Sequence, residues 1–195
     1  MYFPKNFNFD KFIGTHTLLY GETDTKKTFY TAEFIKFLLE KKEIDPKQIS
    51  ILDFGPKLLY LKGLKIGGRI RDYYPKSDLC NNILFEGEII PPRLNAKNRE
   101  ELYQNLCYNY KRTSKALENF NKGTTSFLII NDISIYLHLG NKKYFLNTID
   151  KTSTFFGNTY YGISIKSKIS ALLSLKEKKR IEFLINNIKN SYLTG

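Results

Sequence analysis

Tryptophan is absent from this chain, and histidine, cysteine and arginine are scarce. Each shortage removes a class of function. The two cysteines, Cys80 and Cys107, form no Cys-x-x-Cys pair. That excludes a disulfide scaffold or thiolate zinc site and fits a reduced, cytoplasmic setting. The two histidines, His16 and His138, lie far apart in sequence, too few and too isolated for a histidine metal site or a catalytic triad. No apolar run reaches the ~18 residues needed to span a bilayer, so no membrane partner is expected. The opening Met1-Tyr2-Phe3-Pro4-Lys5 lacks the basic-then-apolar layout of a signal peptide.

Lysine, by contrast, is abundant. Of 31 basic residues 25 are lysine, and the net charge is +12. Such a charge admits a nucleic-acid partner. An AT-rich coding sequence, which also favours the many Asn, Ile, Phe and Tyr residues present here, yields the same lysine excess with no nucleic acid involved. Charge alone therefore decides nothing. The length suits one domain over residues 1–195.

Hydrophobic patterning alternates between strand and helix. Residues 1–14 read as an aromatic tail packed on the domain, and Thr17–Tyr20 as a buried strand. Residues 27–41 carry an apolar helical face through Phe29, Ala32, Phe34, Ile35, Leu38 and Leu39. A second strand, Ile49–Phe54, closes at Gly55-Pro56. Residues 57–95 hold loops and a short hairpin, with Arg69, Arg71 and Arg93 as candidates for phosphate or partner contact. Asn98, with Glu101 three residues on, opens a helix to about Phe120. Phe127–Asp132 is a third strand, residues 133–150 a loop or short helix, and Thr154–Asn158 a fourth strand. Ser174-Leu175-Lys176-Glu177 reads as a capping box opening a helix through about Ile188, and Tyr192-Leu193 as a last edge strand. Strands alternating with helices predict an α/β fold, three αβα layers around a mostly parallel sheet. Ligands of such sheets bind at the carboxyl ends of strands, where Gly21, Asp53, Asp132 and Asn158 all fall.

The segment Gly21-Glu22-Thr23-Asp24-Thr25-Lys26-Lys27-Thr28 joins the first strand to the first helix. It resembles the Walker A loop of P-loop NTPases, Gly-x-x-x-x-Gly-Lys-Ser/Thr. Lys26 stands where the family has its second glycine, a position whose backbone favours φ > 0. The resemblance implies that residues 21–28 cradle the phosphates of ATP, that Lys27 reaches the β- and γ-phosphates, and that Thr28 ligates Mg²⁺. Phe127 to Asp132 resembles the Walker B strand, which makes Asp132, or the adjoining Asn131, the second metal-side residue. Asn158 falls where RecA-like ATPases carry a polar sensor of the γ-phosphate. No glutamate adjoins Asp132, so Asp53 or Glu22 is the substitute for positioning water, with Asp53 preferred. The order of elements is similar to the compact RecA-like ATPase core.

The resemblance implies a Mg²⁺-dependent ATP-binding protein, a slow ATPase coupled to a protein or nucleic-acid partner or completed by a second copy of the chain. Two alternatives stay open. Asp53-x-Gly55 matches part of the Asp-x-Gly-Gln signature of polynucleotide kinases, with Pro56 in the glutamine's place, which would make the chain a phosphotransferase with residues 57–95 as a lid. Lys26 in place of glycine is also compatible with a non-catalytic scaffold. Asp53-Phe54-Gly55 spells the protein-kinase triplet without its His-Arg-Asp partner, and Gly140-Asn141-Lys142-Lys143 lacks the aspartate of the guanine-reading motif.

Overall fold

A computed structural model describes residue 2 and residues 8–61, 63–83, 87–165 and 168–195. The strands are β1 (His16–Gly21), β2 (Ile49–Asp53), β3 (Leu59–Leu61), β4 (Leu64–Ile66), β5 (Asn81–Asn82), β6 (Phe127–Asn131), β7 (Thr154–Tyr160) and β8 (Asn190–Leu193). The helices are α1 (Lys27–Glu40), α2 (Ile70–Tyr73), α3 (Pro92–Asn95), α4 (Arg99–Lys122), α5 (Ile133–Leu137), α6 (Lys142–Ile149) and α7 (Ala171–Asn187). Six strands form one sheet in the order β5-β2-β6-β7-β1-β8, and every pairing in it is parallel. The expected α/β architecture, with helices on both faces of a parallel central sheet, is therefore observed. The expected hairpin is β3–β4, antiparallel and separate from the main sheet.

Period-two alternation sorts the core into two layers. Leu19, Ile49, Ile51, Phe127, Ile129 and Phe156 join Ala32, Phe34, Ile35 and Leu38 of α1 on one face. Leu18, Leu52, Leu128, Ile130 and Phe155 meet residues of α4, α5, α6 and α7 on the other. Strands buried on both faces read as unbroken apolar runs, which is why Phe127–Ile130 was legible. Within the first layer, Phe34 stacks on Phe156 at 4.5 Å between ring centroids, and Phe9 packs tilted against both Phe34 and Phe37. The aromatic tail thus does pack on the domain from Phe9 onward. Residues 1 and 3–7 of that expectation lie outside the described residues.

The connections open a crevice at the carboxyl end of the sheet. The chain leaves β1 toward β2, on one side of β1, and leaves β7 toward β8, on the other side. With right-handed crossovers the two departing helices must lie on opposite faces, as the two core layers show. The carboxyl ends of β1 and β7 therefore diverge into a crevice, the place where open α/β sheets bind ligands.

One expected boundary is corrected. Ser174 and Glu177 do not open the last helix. A 3-10 turn at Lys168–Ser170 leads directly into α7 at Ala171, so Ser174 already lies inside the helix. Glu177 does not reach back to cap backbone N–H groups, because its carboxylate is bonded to Arg93 and His138. By contrast, Asn98 caps α4 as expected, its side chain accepting from the Glu101 N–H at 2.9 Å. Among the described residues, no helix is long and apolar enough to cross a membrane.

The layer built on α1 should depend on its aromatic centre. Phe34→Ala removes a fully buried ring stacked on Phe156 and is expected to cost about 3–5 kcal/mol in urea unfolding. Phe29→Ala, at a residue 38% exposed, should cost under about 1 kcal/mol.

Candidate functional site

A cavity of about 350 Å³ opens at this crevice. It is lined by residues 23–29 and by Asn131, Asp132 and Asn158, together with residues of the hairpin and of segment 91–94. Three independent contacts shape the loop before α1. Thr23 Oγ1 donates to the Lys65 carbonyl on β4 at 2.7 Å. Thr25 Oγ1 shares a 2.7 Å hydrogen bond with Thr194 Oγ1, beyond β8. The Glu22 carboxylate accepts from the backbone N–H groups of Ile163 and Ser164. Gly21 lets the end of β8 approach, since a Cβ there would lie 2.5 Å from the Thr194 carbonyl oxygen.

Lys26 has φ = 62° and is the N-cap residue of α1. The position expected to need a left-handed backbone does have one, and a lysine occupies it. Among the described residues no side chain caps the helix there, so the N-terminus of α1 presents its partial positive charge to the cavity. Lys27 follows, 8% exposed. Its ammonium folds back onto the loop, bonding the Glu22 carbonyl and Thr25 Oγ1. Burial pushes this lysine down to about 8, against the attraction of Asp132, Glu22 and Asp24. Lys27 is thus held inside the loop at considerable desolvation cost.

Asn131 stands at the centre of the site. Its Nδ2 donates to Asp53 Oδ1 at 2.6 Å and to the Gly68 carbonyl at 3.1 Å. Its Oδ1 accepts from Thr28 Oγ1 at 3.1 Å and from Asn158 Nδ2 at 2.8 Å. The structure therefore brings Thr28, Asn131 and Asn158 together. The residue bonded to Thr28 is Asn131, and not Asp132. Asp132 has φ = 53°, stands at the N-cap position of α5, and accepts from Ser134 Oγ at 2.7 Å. Its backbone N–H donates to Asn158 Oδ1. Burial raises its carboxyl above the usual range, opposed by the Ser134 hydroxyl and by nearby His138 and Lys27. Asp132 thus belongs to the Lys27 side of the cavity.

The two carboxylates considered for water activation are used elsewhere. Glu22 faces the 163–164 amides, which hold it below its usual range despite partial burial. Asp53 accepts from the N–H groups of Gly55 at 3.0 Å and Ile70 at 2.7 Å, as well as from Asn131. It pins the turn after β2 and the start of α2, and it is not among the cavity's lining residues. Burial raises Asp53 against those three hydrogen bonds. Arg69 and Arg71 do not line the cavity either, and Arg71 instead pairs with Asp78 at 3.2 Å. Arg93 does line it.

Sequence reasoning missed His138 and Glu177. His138 Nε2 lies 3.0 Å from Glu177 Oε1, and Arg93 Nη2 bonds Glu177 Oε2. His138 lines the cavity. Separations of 39 and 84 residues leave no local signal for this cluster. Among the described residues no cluster of His, Cys, Asp and Glu forms a ready metal cage. No protein-family model and no curated protein matches the chain.

Two outcomes follow. Asn131→Ala strands the Gly68 carbonyl and takes one partner each from the Asp53 carboxylate, the Asn158 amide and the Thr28 hydroxyl, and should lower unfolding stability by about 3 kcal/mol in urea titration. Lys26→Gly relieves the left-handed strain and should raise stability by about 1 kcal/mol in the same assay.

Proposed function

We propose that the chain is a Mg²⁺-dependent ATP-binding protein of the P-loop type, with a RecA-like arrangement of its site and slow intrinsic hydrolysis. The observation that carries this reading is the uncapped N-terminus of α1, opening from a left-handed Lys26 with the buried ammonium of Lys27 inside the loop. A helix N-terminus and a desolvated lysine at the carboxyl end of a parallel strand suit an oxyanion. The triphosphate would lie along residues 23–28, and its γ-phosphate would displace the Glu22 carbonyl as the partner of Lys27.

The residues present fit a magnesium ion. Thr28 Oγ1 and the Asp132 carboxylate would hold it, with the Asn131 carbonyl oxygen accepting from Thr28 Oγ1 and so orienting that hydroxyl. The ion would draw charge from the β- and γ-phosphates. Asn158 reaches Asn131, Thr31 and the Asp132 amide, a setting suited to sensing the γ-phosphate. The wall formed by Pro56, Ile66, Phe29 and Tyr73 would take the nucleobase; Phe29 and Tyr73 meet edge to face at 6.0 Å. Among the described residues that line the cavity the carboxylates are Asp24 and Asp132. With Asp132 committed to the ion, the one left is Asp24, which lies inside the phosphate loop itself and interacts with Lys27. We therefore read turnover as slow and dependent on a protein or nucleic-acid partner.

Calorimetric titration tests this reading. Wild type should bind ATP only with Mg²⁺, and Lys27→Ala should lose about 10–100-fold in affinity, the range for a hydrogen bond to a charged group. The sign of the pH dependence follows from the depressed lysine. Below about 8 the ammonium is present, and above it the charge is lost. Affinity should therefore weaken between pH 7 and pH 9 in wild type and stay flat in Lys27→Ala. Equal, pH-independent binding by both proteins would contradict a phosphate contact by Lys27.

A further inference from the structure

Beyond the loop, the cavity has a second polar end. Arg93 and His138 both line it, and both are tied to the two oxygens of a single carboxylate, Glu177. The side chains of Arg93, His138 and Glu177 are 7%, 2% and 4% exposed. Despite burial, His138 and Arg93 hold the Glu177 carboxyl below its usual range. A carboxylate paired with a guanidinium, as Glu177 is with Arg93, only accepts hydrogen bonds. The 3.0 Å contact therefore places a hydrogen on Nε2, and in the neutral imidazole Nδ1 is then the lone pair.

Among the described residues that Nδ1 is buried with no hydrogen-bond partner, and so is Arg93 Nε. The two orphans have opposite senses. Nδ1 lacks a donor, and Nε–H lacks an acceptor. Buried polar atoms are almost always satisfied in the functional state, and a hydroxyl group is the simplest ligand that serves both, donating to Nδ1 while accepting from Nε.

We infer that this end of the cavity takes the hydroxyl of a small alcohol or polyol, gripped by Arg93 and deprotonated by His138, as the acceptor of the γ-phosphoryl group. The inference rests on the nucleotide reading above and turns it from hydrolysis to group transfer. The hydroxyl oxygen forms a bond to the γ-phosphorus as the bond from that phosphorus to the β,γ-bridging oxygen breaks. ADP leaves with the electron pair of the broken bond. The hydroxyl proton passes to His138 Nδ1 and is released to water after the phosphate monoester departs. Glu177 is a positioning residue that fixes the tautomer and stabilises the imidazolium, as a carboxylate does behind any histidine base. Asp132 interacts electrostatically with both Lys27 and His138, so the phosphate loop and this base share one neighbourhood.

With two histidines in the chain, ¹⁵N NMR of the imidazoles is a direct test on the wild-type protein. Without nucleotide, His138 should be neutral, protonated at Nε2, with a bare Nδ1. Glycerol, used as the probe polyol, should shift that Nδ1 and leave His16 unmoved, and Arg93→Lys should abolish the response. A hydrogen on Nδ1, or no response to glycerol, overturns the alcohol site whether or not ATP binds. With γ-³²P-ATP and glycerol, label should appear in glycerol phosphate. His138→Gln should lower kcat for transfer by about 100-fold or more and leave ATP affinity within about twofold. Label released only as inorganic phosphate, at a rate His138→Gln does not change, overturns the transfer step. Failure of wild type to bind ATP overturns the nucleotide reading and the transfer step with it, while the glycerol response still reports on the alcohol site by itself.

Discussion

One carboxamide holds the carboxyl ends of the sheet together. Asn131 has two N–H donors and one oxygen with two lone pairs, and all four are engaged: with Asp53, Gly68, Thr28 and Asn158. Those partners come from β2, the turn after the hairpin, the first turn of α1, and β7. An aspartate could not replace it, because it would offer no hydrogen to the Asp53 carboxylate 2.6 Å away. Gly55 belongs to the same arrangement, since a Cβ there would meet Asn131 Nδ2 at 2.5 Å. The strand therefore ends in Asn131-Asp132 for a physical reason. The amide assembles the site, and the carboxylate after it faces the charged side of the cavity.

This division of labour leaves Lys27 as the site's principal unpaired cation. Asp53 is consumed by backbone amides, Glu22 by the amides of residues 163 and 164, and Glu177 by Arg93 and His138. Among the described residues no carboxylate bonds Lys27 directly, and its ammonium satisfies itself on the loop's own oxygens. On the proposed reading such a buried ammonium exchanges a carbonyl for a phosphate oxygen. The loop around it is pinned to β4, to the end of β8 and to the segment after β7, so the exchange needs little backbone rearrangement.

The fold was legible because both-face burial leaves continuous apolar runs at β1, β2, β6 and β7, and because Asn98 caps α4 through purely local chemistry. Lys26 was legible for the same reason: a left-handed residue before a helix is a property of the adjoining backbone. Ser174 and Glu177 mimicked a cap because the four-residue pattern carries no information about where Glu177 finds a stronger partner. The roles of Glu22 and Asp53 depend on amides presented by turns at residues 163–164 and 55–70, whose geometry no spacing rule predicts. The Arg93–Glu177–His138 cluster is assembled from three elements far apart in the chain. Its two isolated cavity-lining side chains acquire meaning only once α7 places a carboxylate between them.

The account depends on the backbone of residues 23–28 gripping phosphate. Hydrogen–deuterium exchange of the wild-type chain, with and without Mg²⁺·ATP, measures those amides directly. The account predicts slowed exchange centred on residues 23–28 and the first turn of α1, reversed in Lys27→Ala. Unchanged exchange in that loop while protection appears elsewhere on the protein would contradict it.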